Sequence, residues 1–168
     1  WIGAARLDRM RLELQPELRP IRIRAGALGP GLPERDLTVS PQHRVLVRSV
    51  IAERMFGQPE NLVAAKHLTG MPGVEVVPAD HVTYWHLLFD RHEVISSNGA
   101  WSESLFTGPQ AMKSLGPAAR REIMSLFPDL VSHGRQPEPA RNFLTGRQGK
   151  KLAERHQKNR CALVLDPA

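Results

Sequence analysis

The sequence has a single cysteine in 168 residues, and this scarcity removes several classes of protein. One thiol, Cys161, cannot form an internal disulfide or a cysteine-rich zinc site. Aromatic residues make up 5% of the chain, and they form no platform among the basic residues of the kind that single-strand binders need. No apolar run approaches the roughly 20 residues of a membrane span, and no apolar signal-peptide core opens the chain. We expect no nucleic-acid partner and no membrane insertion.

Common catalytic motifs are also missing. The sequence contains no G-x-S-x-G, no G-x-x-x-x-G-K-[ST], no G-x-G-x-x-G and no H-E-x-x-H. His81, His86 and His92 lack the short paired spacing that zinc ligands usually have. The net charge of +6 could attract an anionic partner, but arginines that alternate with apolar residues favour solvated strand faces. We therefore expect no metal and no cofactor.

What the sequence does contain is an ordinary globular composition with many turn-forming residues. Hydrophobic residues make up 41% and charged residues 24%, with 14 prolines and 13 glycines. This balance favours short strands joined by turns over long helices. We predict a mainly β domain over residues 1–107, followed by a helical extension over residues 108–168.

Hydrophobic patterning places the individual elements. Alternation and β propensity predict strands at 19–24, 37–39, 44–51, 74–77, 82–89, 93–97 and 100–105. Asn98-Gly99 between the last two strands is the strongest short hairpin signal. Residues 60–68 are predicted to form a short helix or an irregular link. Helices are predicted at 118–126 and 148–158.

Two places could carry chemistry. Ser40 and His43 flank a proline-forced bend between two strands, where an imidazole can act as a general acid and base and a hydroxyl can donate beside it. A serine turn with a surface histidine is the alternative that composition alone favours. His92 follows a long apolar strand and could carry a proton near neutral pH, or be an exposed turn residue. For His86, within that strand, a hydrogen-bonded core or edge position is expected.

Two ordered blocks resemble the Hedgehog/intein (Hint) family. The run Asp36–Val47 is similar to the T-x-x-H block, with Ser40 at the threonine and His43 at the histidine. The run Tyr84–Gly99 is similar to the C-terminal strand-pair block, with His92 at its frequent histidine. The stretches RPIRIRAGALGPGLPERDLTVSPQHRVLVRS, LLFDRHEVISSNGAWSESLFTGPQA and GPAARREI resemble a bacterial Hint subfamily that is attached to large, often secreted proteins.

The resemblance implies a horseshoe of twisted antiparallel strands and a single-turnover reaction. In the family, a cysteine at the domain's first position attacks the preceding carbonyl in an N-to-S acyl shift. Carried over, His43 would activate the scissile amide, Ser40 would hydrogen-bond beside it, and His92 would assist resolution. The expected partner is the protein's own upstream polypeptide. The residues themselves indicate no compartment, and only the resemblance to domains attached to secreted proteins points to a secreted or cell-surface location.

This sequence departs from the family pattern in two ways. The nucleophilic cysteine would precede Trp1, so the chain by itself is expected to be inactive and to lack the first strands. Inteins end the second block with His-Asn, whereas the corresponding pair here is Glu103-Ser104, so ligating splicing is not expected. The alternative is a non-catalytic structural or secretion-associated binding module on the same fold.

Overall fold

A computed structural model of the chain describes residues 1–108, 116–126 and 138–165, and strands outnumber helices among them. The strands are β1 (Ile2–Asp8), β2 (Ile21–Ile23), β3 (Leu37–Val39), β4 (Arg44–Arg48), β5 (Glu60–Ala64), β6 (Val74–Val76), β7 (His81–Leu87), β8 (Val94–Ser97), β9 (Ala100–Glu103) and β10 (Asn142–Phe143). The helices are α1 (Arg9–Leu14), α2 (Val50–Phe56), α3 (Pro117–Leu126) and α4 (Gly146–Asn159), and short 3-10 turns lie at Pro16–Leu18 and Ala65–His67. The predicted mainly β body with a helical extension is confirmed.

The strands form three sheets in the described part of the chain. The largest has the order β10-β5-β4-β9-β8, a second has the order β3-β2-β6, and β1 pairs with β7 alone. The β8–β9 hairpin turns at Asn98 and Gly99, whose φ angles of 51° and 80° are those that a two-residue primed turn requires. The hairpin signal in the sequence is therefore confirmed, and it sets the position of β9 beside β4.

Two predicted elements were wrong. The strand predicted for 44–51 ends at Arg48, because the side chain of Ser49 accepts from the Ala52 N–H and caps α2. The helix or irregular link predicted for 60–68 is instead strand β5 followed by a 3-10 turn. Four consecutive residues of β5 are buried, so this central strand shows no alternation that the sequence could reveal.

The extension shares the hydrophobic core of the β body. The buried cluster contains Val45 and Val63 from the sheet together with Leu152 of α4 and Leu163 after it. Strand β10 adds to the edge of the large sheet by parallel pairing with β5. The expected domain boundary at residues 107 and 108 stays a prediction, but the two parts it would separate pack on one core.

A buried polar contact docks α4 against the start of α2. The Nε2 atom of His156 lies 3.0 Å from the hydroxyl of Ser49, and Nδ1 lies 3.2 Å from the carbonyl oxygen of Cys161. His156 is fully buried. Since a carbonyl can only accept, Nδ1 carries the proton and Nε2 accepts from the serine hydroxyl, which leaves the ring neutral.

Candidate active site

The segment Ser40–His43 forms the tight turn between β3 and β4. The His43 N–H donates to the Ser40 carbonyl over 3.0 Å, which closes a four-residue turn around Pro41 and Gln42. Proline fits this second position because its ring fixes φ. The predicted bend is confirmed, and it places Ser40 and His43 at the two ends of one turn.

The peptide group that joins His43 to Arg44 is held from both sides. Its carbonyl accepts from the N–H of Ala65 over 2.9 Å, and its N–H donates to Oε1 of Glu103 over 3.0 Å. The ladder between β4 and β9 consists of the pair Val45–Ser102, so the Glu103 carboxylate binds this N–H next to that pair. The backbone that carries the His43 ring is thereby fixed.

Glu103 is a nearly buried carboxylate at the centre of this arrangement. Its side chain is 8% exposed. Its two oxygens accept from Nη1 of Arg44 over 3.2 and 3.1 Å, and Oε2 lies 3.4 Å from Nε2 of His92. A buried charge is costly unless it is paired and hydrogen-bonded. The guanidinium and the backbone N–H of Arg44 meet both requirements.

His92 lies behind Glu103 and is closed off from solvent. Its side chain is 1% exposed, and the rings of Phe106 and Phe143 pack edge-on against it at 5.1 and 5.5 Å between centroids. Its Nδ1 accepts from the N–H of Ala140 over 2.9 Å. The described residues therefore enclose the ring, and this arrangement suits support of Glu103 more than direct contact with a substrate.

The His43 ring is half-buried and makes no hydrogen bond within the described residues. Burial lowers its pKa, attraction to Glu103 offsets part of this change, and repulsion from His86 and Arg44 lowers the pKa further. The ring is therefore neutral near pH 7. A neutral imidazole with available nitrogens can accept a proton and then return it, as general acid–base catalysis requires.

Ser40 is also half-buried, and its hydroxyl makes no hydrogen bond within the part of the chain that the structure describes. The hydroxyl is therefore available to a substrate, and the only hydrogen bond between Ser40 and His43 among the described residues is the backbone bond that closes the turn. Of the three residues predicted from the sequence, His92 lies beside the Glu103 carboxylate, and the peptide group that follows His43 donates to it, while Ser40 lies at the other end of the turn. Their catalytic roles stay predictions.

Sequence reasoning missed three members of the cluster. Glu103 was expected only as the counterpart of an intein residue, Arg44 as a strand residue, and His86 as a core or edge histidine. Within β9, Ala100 and Ser102 are buried as alternation predicts, but Glu103 is buried as well. A carboxylate that breaks strand alternation is visible only once the strand's partners are known.

Other kinds of site are not apparent in residues 1–108, 116–126 and 138–165. Among them, no group of three or more His, Cys, Asp or Glu side chains is arranged to hold a metal ion. No helix there is long and apolar enough to cross a membrane. Cys161 is exposed, and its thiol lies 3.4 Å from the carbonyl of Asn159.

Comparison with known proteins gave one informative result. A family model described as the Hint domain matches residues 1–109, which is more than half of the chain. Comparisons with curated proteins and with solved structures gave no match. The matched range includes His43, His92 and Glu103, whereas Ala140 and Phe143 lie beyond it.

Proposed function

The chain belongs to the Hint domain family, and on this premise we propose that it is the processing part of a protein that cleaves its own upstream peptide bond. The observation that carries the proposal is the state of His43. Its ring is neutral and makes no hydrogen bond within the described residues, and its peptide group is held at both ends by Ala65 and Glu103. A proton carrier for one peptide bond needs this combination of fixed position and available nitrogen.

The proposed reaction is an N-to-S acyl shift. An upstream cysteine thiol gives its proton to His43, and the thiolate sulfur attacks the carbonyl carbon before it. The carbon–sulfur bond forms, the carbon–nitrogen bond breaks, and His43 returns the proton to the departing amine. Water or another nucleophile then releases the acyl group from the thioester.

Two neighbours support the proton transfer. While His43 holds the proton, the nearby carboxylate of Glu103 stabilises the imidazolium, since an opposite charge favours the charged form. Ser40, at the other end of the turn, donates a hydrogen bond to the carbonyl oxygen as negative charge develops there. His92 acts behind Glu103 and does not touch the reacting atoms.

The nucleophile is not Cys161 in this proposal. That residue follows α4, its carbonyl lies within hydrogen-bonding distance of His156, and none of its contacts joins it to His43. Residues 1–168 alone are therefore expected not to cleave, and the substrate is the polypeptide that precedes them.

The test uses a chain extended upstream through the expected cysteine. We expect fragments separated immediately before that cysteine, with release accelerated by dithiothreitol or hydroxylamine because both attack thioesters. Replacing His43 with alanine should slow release about 100-fold or more, the usual contribution of a positioned acid–base group. The measurement is fragment accumulation by gel and intact mass.

The matched control is His81→Ala, because His81 is an exposed histidine at the start of β7. It should leave the cleavage rate unchanged. An extended chain that stays intact, and that behaves like its His43→Ala variant with either reagent, would count against self-processing. The alternative of a non-catalytic binding module on the Hint fold would then be favoured.

A further inference from the structure

The C-terminal segment Ala140–Phe143 reaches into the site although it lies outside the family match. Strand β10 pairs with β5, with Asn142 opposite Asn61, and their side-chain amides hydrogen-bond over 2.8 Å. Arg141 forms an ion pair with Glu60 at the same edge. These contacts hold the segment in place independently of His92.

The first contact of this segment with the site is a single N–H group. Ala140 donates its N–H to Nδ1 of His92 over 2.9 Å. A neutral imidazole carries one proton, so an accepting Nδ1 places that proton on Nε2, which faces Glu103 at 3.4 Å. A second proton on Nδ1 would point at the Ala140 N–H, so two donors would meet.

The second contact is an aromatic ring. Phe143 lies under the guanidinium of Arg44, with 3.9 Å from Cζ to the ring centroid. Its edge also contacts His92 and Phe106. The ring therefore helps to fix the cation that pairs with Glu103.

We propose that Ala140–Phe143 is a positioning segment that holds His92 neutral and so keeps the charge of Glu103 available to His43. His92 lies 3.4 Å from the Glu103 carboxylate, and the same carboxylate binds the Arg44 N–H next to His43 and attracts a proton on the His43 ring. The two histidines therefore compete for one negative charge. If His92 took a second proton, it would pair with Glu103 and add a positive charge beside it, and a proton on His43 would lose its support. The charged and titratable groups around this exchange are Glu103, Arg44 and His86.

The positioning role serves the cleavage reaction and in this respect rests on the proposed function, but it can be tested without observing cleavage. The titration of each histidine is followed by NMR in the full chain, with Ala140→Pro, which removes the N–H, and Ala140→Gly, which keeps it. In Ala140→Pro we expect the pKa of His43 to fall by about 0.5–1 unit, as the loss of a nearby opposite charge produces. The His92 ring nitrogens should lose the signature of the Nε2-protonated neutral form. Ala140→Gly should match the parent.

A second variant separates charge competition from local unfolding. Adding His92→Gln to Ala140→Pro supplies a side chain that cannot take a second proton, and it should return the pKa of His43 toward the parent value. An unchanged pKa of His43 in Ala140→Pro would overturn the inference. A pKa of His43 that is as low in the double variant as in Ala140→Pro alone would overturn it as well.

Measuring cleavage by the same variants in the upstream-extended chain distinguishes failure of the positioning role from failure of self-processing. Slower cleavage in Ala140→Pro together with a lower His43 pKa, as a less basic imidazole would produce, would support both. Titrations that move as expected in a chain that never cleaves would contradict self-processing and retain the positioning role. Normal cleavage with unmoved titrations would contradict the positioning role alone.

Discussion

Replacing His156 with glutamine should make the stability of the protein less sensitive to acid. Burial lowers the pKa of His156 below its usual value near 6.5, and hydrogen bonds with the backbone of Cys161 and Ala162 offset part of this change. Below that value the unfolded chain binds a proton that the folded chain excludes. Stability contributed by the neutral ring is therefore present above about pH 6.5 and is lost as the pH falls.

The size of the expected change in the free energy of unfolding follows from the binding of one proton by His156. A single group changes the free energy of unfolding by at most about 1.4 kcal/mol per pH unit. Between about pH 7.5 and about pH 5.5, His156 can therefore account for at most about 1.4 kcal/mol. Glutamine can donate through its amide nitrogen and accept through its amide oxygen, as the two nitrogens of the neutral ring do, but it does not titrate. The other histidines are common to both proteins, so their contributions cancel in the difference.

Urea unfolding at the two pH values measures this difference. We expect His156→Gln to lose about 1–3 kcal/mol near pH 7.5 through poorer packing, and this deficit to shrink by about 1 kcal/mol near pH 5.5. Ala153→Gly is the matched control on α4, since it should cost about 1 kcal/mol of helix propensity at both values. A deficit for His156→Gln that is equal at the two pH values would refute the neutral buried ring.

Three glycine substitutions, one of them a control, test close approaches and turns of the backbone. In Gly29→Ala the new methyl would meet the carbonyl oxygen of Val164, so we expect a loss of about 1–3 kcal/mol and faster amide exchange at Val164. Gly116→Ala, which meets no atom within 4 Å, should change thermal stability by less than about 0.5 kcal/mol; equal behaviour of the two variants would contradict the close approach. Gly99→Ala, at φ 80° and against the side chain of Glu34, should cost about 1–2 kcal/mol in the same thermal assay, and an unchanged midpoint would show that this turn is not strained.

The parts of the fold that were predictable are those fixed by local chemistry. Pro41 fixes the bend before His43, and Asn98-Gly99 fixes the hairpin that follows β8, because each acts through its own φ angles. On α4, the buried residues Gly149, Leu152, Ala153 and His156 follow the spacing of one helix face. Such signals need no knowledge of what packs against the element.

The wrong predictions of secondary structure arose where an element is buried on both sides or where a distant contact ends it, because the alternation of apolar and polar residues is then lost or misleading. Strand β5 lies between β4 and β10, so its apolar run carries no period of two and could be read as a helix. At Arg48 the strand pattern continues into Val50 and Ile51, and the change of direction depends on the Ser49 cap and its contact with His156. That partner is 107 positions away in sequence.

The site illustrates the same limit for polar residues. His43 was predicted as a candidate because a proline turn beside a histidine is a local feature. In contrast, Glu103 contacts Arg44 across 59 positions, and His92 contacts Ala140 across 48. A glutamate in a strand is ordinarily solvated. Here the ladder between β4 and β9 has a single pair, and the Arg44 N–H beside that pair donates to the Glu103 carboxylate. Because a buried carboxylate is tolerated only when such partners are present, its position depends on the assembled sheet, and no reading of strand alternation could have identified it.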